Sequence, residues 1–522
     1  MKKRSAIQPR EKKSMNRRQF IHGCAACSAC LAAGPLMPLS SCKSIGTKKR
    51  MNILLLYSLH EPVQARPDWP NLGFDFRPVM DRISATMATE CPEFVFKSAM
   101  ANGPEQADKI IAAEENRGVD GYVVYQLNCW NRVVQPAVLT GKPVLYADFK
   151  YAGSGGFLVY TAGFMRSGTS NLAFVSSSRM EDQIAAVKCF NILDKGGTVS
   201  DFVAAVTQGR IENTPLRGDF DCKPDVFKVL SSGECMKRMG SSRILAVRDQ
   251  ESGPSDPIFG IPMERVSFSE VNEAWKAADK DEASTVADRW QTDAAEVIGV
   301  SRETLETSAA MYLGMKQVLR RHSANAITIN CLGGFYGGHI HAYPCLGFHE
   351  LNNEGLVGAC ECDVRSTATM AAVTALTQGR PGYISDPVID TAKRRIIYAH
   401  CVASNKVFGP EGPTNPFVIM THSEDRQGAS VRSILPTGYM TTTLEILPDR
   451  KEILFHQAKT VDNDPDDRAC RTKLCAEPLG DMEKLFTMWD RWGWHRVTFY
   501  GDLKEPVMAL ADAMNWTVVE EA

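Results

Sequence analysis

Met51-Asn-Ile-Leu-Leu-Leu-Tyr57 is an almost unbroken apolar run, and a strand of that composition has to be covered on both faces, as the strands of a parallel sheet are. Val119-Asp-Gly-Tyr-Val-Val-Tyr125, Lys142-Pro-Val-Leu-Tyr146, Arg243-Ile-Leu-Ala-Val-Arg248 and Ala326-Ile-Thr-Ile-Asn-Cys331 repeat the pattern. Helical stretches separate them, near 104–116, over 180–193 and from Ser301, where Leu305, Ala309, Tyr312, Met315 and Leu319 share one face. Parallel strands need crossovers of this kind, so the alternation predicts α/β architecture. Gly153-Ser-Gly155-Gly156-Phe157 lacks both the G-x-G-x-x-G spacing and the P-loop lysine and reads as a flexible turn. The stretch 253–261, with two prolines and two glycines, reads as a loop. Beyond about Arg394 the pattern changes to short alternating segments at 396–402, 416–420, 430–435, 441–447 and 452–456, which predict antiparallel strands. A helix over 482–489, a strand over 495–500 and a last helix over 506–514 close the chain.

At 522 residues the chain is long for one ordinary domain. The expected order is two Rossmann-like α/β domains, 51–180 and 181–390, and a β-rich C-terminal domain, 391–522. Ahead of them, residues 1–42 read as a twin-arginine lipoprotein signal and 43–50 as a linker. Asn16-Arg17-Arg18-Gln19-Phe20-Ile21 carries the paired arginines, an apolar stretch follows, and Leu39-Ser40-Ser41-Cys42 resembles a lipoprotein cleavage box with Cys42 as the acylated residue. The expectation is export to the periplasm or cell surface, with membrane contact through the lipid anchor only. Residues 1–41 hold eight of the 59 basic residues and one of the 61 acidic ones, which leaves 51 basic against 60 acidic, net −9. An acidic chain of this kind excludes a nucleic-acid binder, which needs a basic surface to neutralise phosphates. Of 16 cysteines, Cys360 and Cys362 flank Glu361 with C-x-C spacing that suits a thiolate metal site, and Cys470 and Cys475 are close enough to pair as a loop staple.

The stretch 359–387 carries the candidate chemistry. Asp363 can cap a helix whose buried face is Val364, Ala368, Ala371, Ala372, Ala375 and Leu376, and Gly379 followed by Pro381 ends it. A short strand over 382–385 then brings the chain back, so Glu361 and Asp386 can meet at one end of the unit. Two carboxylates at one pocket can share a divalent metal, or divide general-acid and general-base work. The pair alone does not define a site, because acids favour helix starts and turns anyway; a third ligand would. Asn128 and Asn131, just past a strand, read as turn residues, and His339, His341 and His349 as loop histidines or substrate contacts.

His495 follows Trp492-Gly-Trp494, and the run Trp492-Gly-Trp-His495-Arg-Val-Thr-Phe-Tyr-Gly-Asp502 resembles the C-terminal segment of L-fucose isomerase. The 359–387 stretch resembles the same superfamily, which includes L-arabinose isomerase: an acid then x-Asp, an apolar helix, Thr-x-Gly-x-Pro and a second acid. The resemblance implies an L-fucose isomerase-like fold and a metal-dependent aldose–ketose isomerase working through a cis-enediol. It implies Glu361, Asp386 and His495 as metal ligands, Glu361 and Asp386 also as the catalytic acids and bases, and Mn²⁺ or another divalent cation as the metal. His400, His422 and Glu424 would be sugar contacts, the substrate a small carbohydrate, and the protein a homo-oligomer. A non-catalytic carbohydrate-binding lipoprotein of the same fold is the alternative.

Overall fold

The computed structural model describes residues 50–522; the stretch 1–42 read as a signal, and Cys42 with it, lies outside them. The first sheet holds β1 (Asn52–Ser58), β2 (Val95–Ala101), β3 (Gly121–Gln126), β4 (Val144–Asp148) and β5 (Leu172–Val175), wholly parallel in the order β2-β1-β3-β4-β5; the first three apolar runs are β1, β3 and β4, and β2 and β5 are not among the expected strands. β1, β3, β4 and β5 are buried along almost their whole length, which is why the first three read as continuous apolar runs. β2, at the edge, is half-exposed and more polar, and its periodicity is correspondingly weak.

The expected turn at 153–157 is instead the start of the helix Ser154–Arg166. Its glycines serve close approach: a Cβ on Gly153 would lie 2.1 Å from the Gln126 carbonyl oxygen, and one on Gly155 would press on Trp494 at 3.2 Å. The helix expected over 180–193 divides into Met180–Lys188 and Asn191–Asp194.

β6 (Ile244–Arg248), β7 (Gly253–Ile258), β8 (Ile261–Ser267), β9 (Glu296–Ile298), β10 (Ala326–Ile329) and β11 (Val357–Ala359) follow. All but β9 form a second sheet, β11-β10-β6-β8-β7, parallel except for the antiparallel edge strand β7. The expected loop at 253–261 is therefore β7 and the start of β8; its prolines are tolerated because β7 is an edge. The helix Arg302–Arg321 begins at the Ser301 cap and buries the expected face.

The rest is mainly β: β12 (Tyr383–Asp390), β13 (Arg395–His400), β14 (Phe417–Met420), β15 (Ser430–Ser433), β16 (Met440–Leu447), β17 (Glu452–Asn463), β18 (Thr472–Pro478), β19 (Arg496–Tyr500) and β20 (Thr517–Glu520). β16-β19-β12-β13-β18-β17 pair antiparallel in that order, and β16 also pairs with β17, so six strands close into a barrel, with β20 alongside β17. β14 and β15 leave the barrel and join β9 in a small separate sheet. The helix expected over 482–489 is two short turns, Lys484–Phe486 and Trp489–Trp492. Cys470 and Cys475 are both buried free thiols, not a staple; Cys475 sits within β18 and points into a packed cluster. Barrel residues share apolar cores with both open sheets: Ile384, Leu444 and Val497 with the second, Tyr383, Tyr398 and Leu474 with the first.

Candidate metal centre

β11 ends at Ala359, and the chain turns sharply before the helix Val364–Leu376. Glu361 (φ 63°) and Cys362 (φ 51°) take left-handed backbone conformations in that turn, which for residues with a Cβ cost roughly 1–2 kcal/mol each. The turn is held from three sides. Cys362 donates its N–H to the Ile329 carbonyl at 3.0 Å; Arg248 donates to the Cys362 sulfur at 3.0 Å and to its carbonyl at 2.9 Å; and Asp363 caps the helix by accepting from the Arg365 and Ser366 amides at 3.0 and 3.1 Å. Cys360 and Cys362 are buried and pack around the turn, so the thiolate site that their spacing hinted at does not face solvent.

The helix delivers the chain into β12, which lies between β13 and β19 in the barrel. Ser385 pairs with Arg496, so Asp386 stands beside His495, and Asp386 pairs with Ala399, next to His400. One end of three neighbouring strands thus presents Asp386, His400 and His495 beneath Glu361. Ligand atoms of these four side chains lie within 4.8 Å of one another. His495 Nε2 is 3.2 Å from Asp386 Oδ1 and 3.5 Å from Glu361 Oε2. His400 Nε2 is 3.7 Å from Glu361 Oε1 and 3.9 Å from Asp386 Oδ2. The resemblance supplied three of the four; His400, expected as a sugar contact, lies within the cluster.

Asp363 determines which nitrogen of His495 is presented. Its Oδ2 is 2.9 Å from His495 Nδ1, so Nδ1–H is the donor and Nε2 is the ring atom left to face the carboxylates. Burial disfavours a charge on His495, yet Glu361, Asp363 and Asp386 outweigh it and hold its pKa well above that of a free imidazole. Burial likewise pushes Glu361 upward, and the charges of His495 and His400 more than offset it, leaving Glu361 at about 2.

Both ring nitrogens of His400 are buried without a hydrogen-bond partner, and Asp386 Oδ1 and His495 Nε2, 3.2 Å apart, have no hydrogen-bond partner outside the cluster. Unpaired buried polar atoms are costly and rare. Here they converge, and two carboxylates with two imidazoles form a donor set that fits a divalent transition-metal ion.

A cleft of about 310 Å³ opens over Glu361 and Asp386, walled by Pro67, Asp68, Trp69, Trp130, Tyr336, Glu424 and Trp494 among others. The segments after β1, β3 and β10, the turn after β11 and the barrel domain therefore meet at it. Asn128, expected as a turn residue, is an anchor for this wall. Its side chain donates to Gln64 and to the Trp69 carbonyl at 3.0 and 2.8 Å and accepts from the His60 amide at 3.0 Å. Asn131 is buried beside it, accepting from Gln126 at 2.9 Å. Leu72 and Ala469 close the segment onto the barrel side by donating to the Glu424 and Pro70 carbonyls.

Glu424, read from the sequence as a sugar contact, is one of the cleft walls, 3.4 Å from the Tyr336 hydroxyl. Burial lifts its pKa well above the ordinary carboxylate value, with His422 opposing and Asp68 and Glu361 adding. His422 is not among the cleft walls. It is buried against Asp425 at 3.2 Å and beside the Tyr343 ring, and that carboxylate overcomes burial to raise its pKa to about 9. His339 stacks on Phe268, His341 lies against Trp275, and buried His349 bonds the Ala403 carbonyl at 2.6 Å. None of the three reaches the cluster. Asp68, Trp69 and Trp130 carried no signal in the sequence, since they belong to loops distant along the chain from every metal-cluster residue.

Fold and cluster together define an α/β protein with a buried carboxylate–imidazole site at the mouth of a β-barrel. No family model matches the chain. Among curated proteins it is similar to the sulfoquinovose isomerase of Priestia aryabhattai, 23% identical over 226 residues, 42% of this chain and 50% of the relative. It is also similar to that of Clostridium sp. (strain MSTE9), 22% identical over 306 residues, 55% of this chain and 67% of the relative. The match to the first spans about half of that protein's length. An ABC transporter solute binding protein from Bacillus halodurans C-125 with bound myo-inositol aligns over 56% of this chain and 82% of its own, at 13% identity and a TM-score of 0.17, which defines no shared fold.

Proposed function

We propose that this protein is a metal-dependent aldose–ketose isomerase, with Glu361, Asp386, His400 and His495 holding a divalent cation, Mn²⁺ in the first instance. The observation that carries the reading is the convergence of ligand atoms of Glu361, Asp386, His400 and His495 within 4.8 Å, with both buried ring nitrogens of His400 lacking a hydrogen-bond partner. The bound cation would supply Lewis acidity toward the oxygens carried by C1 and C2, the two sugar carbons that exchange oxidation level.

The chain's own groups account for the rest. Glu361 is the most exposed of the four, 31% of its side chain open against 8% or less for the others, so it reaches the substrate carbons most directly. It takes the proton from C2 of the open-chain aldose, leaving a cis-enediol, and returns it to C1 to give the ketose. Asp386, opposite it, moves the hydroxyl proton between O2 and O1. Asp363 keeps His495 in one tautomer throughout. Trp69, Trp130 and Trp494 wall the site with aromatic faces suited to the C–H faces of a sugar and limit water around the enediol. Glu424 contacts a substrate hydroxyl.

Homo-oligomerisation, export through residues 1–42 and a lipid anchor at Cys42 belong to the same proposal. The deciding experiment measures bound metal and conversion across a panel of aldoses with Mn²⁺, for wild type and Glu361→Gln. One metal per chain with turnover, both collapsing in the variant, is the expected result. Absence of metal from the wild-type protein overturns the proposal; bound metal with sugar binding and no turnover points to the non-catalytic carbohydrate binder.

A further inference from the structure

The metal cleft continues at its outer end. Pro67 and Asp68 belong to its wall and equally to the wall of a second cleft of about 330 Å³. The other walls of this second cleft are His60, Glu61, Gln64, Ala65, Arg66 and Asn102. His60 lies just past β1 and Asn102 just past β2, and the His60 amide is tied to Asn128 just past β3. The second cleft therefore sits beyond the carboxyl ends of the strands β2-β1-β3, where the chain passes from one side of β1 to the other. Open α/β sheets bind ligands at such a switch point.

Size and charge indicate what fits. The metal cleft alone is at the lower end of the range for ligand pockets, about 300–1,000 Å³, and the adjoining cleft doubles it. Arg66 faces a cleft that also holds the carboxylates of Glu61 and Asp68, His60 Nε2 lies 3.4 Å from Asp68 Oδ2, and Gln64 and Asn102 add neutral amides. A phosphate, a sulfonate or an ammonium group would meet its own sign on one wall. Hydroxyl groups bond to carboxylates, imidazole, guanidinium and amides alike.

We infer that the second cleft is a sugar subsite, and that the substrate carries an uncharged glycosyl unit beyond the aldose that reaches the metal centre, a reducing disaccharide in its simplest form. This rests on the isomerase reading above. It sets the substrate apart from the sulfonated sugar named for the relatives.

The test compares lactose, maltose, cellobiose and melibiose with glucose, their reducing-end monosaccharide, on the full Mn²⁺-loaded protein. Conversion rates are paired with saturation-transfer NMR of the same sugars. Two variants narrow the second cleft, Asn102→Trp and, should that one fold poorly, Ala65→Phe; both side chains are exposed. At least one disaccharide should exceed glucose at least tenfold in kcat/KM, with saturation transfer to its non-reducing ring. That ratio should fall at least tenfold in a variant. Glucose converted as well as every disaccharide, or a ratio untouched by both variants, overturns the subsite. Disaccharide contacts that the variants abolish, with no sugar converted by the wild type, would uphold the subsite and sink the isomerase reading instead.

Discussion

Replacing Asp363 by Asn separates the two tasks of that residue. One oxygen caps the helix Val364–Leu376 and the other accepts from His495 Nδ1 at 2.9 Å. Asparagine keeps the capping oxygen, and Asn caps helices about as well as Asp. Its amide nitrogen, however, puts a donor where His495 Nδ1–H needs an acceptor. The imidazole then moves its proton to Nε2, the atom that faces Glu361 and Asp386 at 3.5 and 3.2 Å. Loss of such an orienting partner typically costs 10–100-fold in metal affinity, about 1.4–2.7 kcal/mol. Competition between the protein and a chelating indicator for Mn²⁺ measures this directly. A parallel denaturation series in excess chelator checks the cap, where Asp363→Ala should be less stable than Asp363→Asn by about 1 kcal/mol. An Asp363→Asn protein that binds Mn²⁺ within threefold of wild type would refute the assignment of His495 Nε2 as a ligand.

Glu445 is buried and accepts from Ser366 Oγ at 2.6 Å, and burial first, then the charge of Asp363, pushes its pKa up to about 8. It is neutral in the fold and ionises near 4.3 when unfolded. The stability it contributes is therefore complete below about pH 4 and lost as pH rises through 8, up to about 5 kcal/mol. Glu445→Gln should gain on wild type between pH 5 and 8.5 in urea denaturation; a constant difference across that window would contradict the reasoning. Gly153→Ala should destabilise by about 1–3 kcal/mol in thermal unfolding, because the new methyl meets the Gln126 carbonyl, a backbone atom with little room to move. Mn²⁺ at 100 times its Kd should raise wild-type stability by about 2.7 kcal/mol. Glu361→Gln should show little of that gain, and an equal gain in both proteins would place the metal elsewhere.

Local signals in the chain were enough for much of this protein. Apolar runs such as Met51–Tyr57 marked buried parallel strands because both of their faces are covered, and Asp363 with the small residues after it marked the helix that leads from Glu361 to Asp386. Segments whose pattern is diluted by exposure or by polar partners were illegible: β2 at a sheet edge, the proline-bearing β7, and the helix at Ser154, whose glycines answer to Gln126 and Trp494 rather than to helix propensity. The site divides the same way. Glu361, Asp386 and His495 were identifiable from two short segments that resemble a known superfamily. His400 as a fourth member, Asp363 as the group that orients His495, and the Asp68–Trp69–Trp130 wall were decided only by the tertiary structure. Their positions depend on barrel register and on hydrogen bonds, such as those of Asn128, between residues about 60 positions apart. Periodicity and turn chemistry act over a few residues, whereas convergence of side chains at a site depends on how strands pair once the barrel has closed.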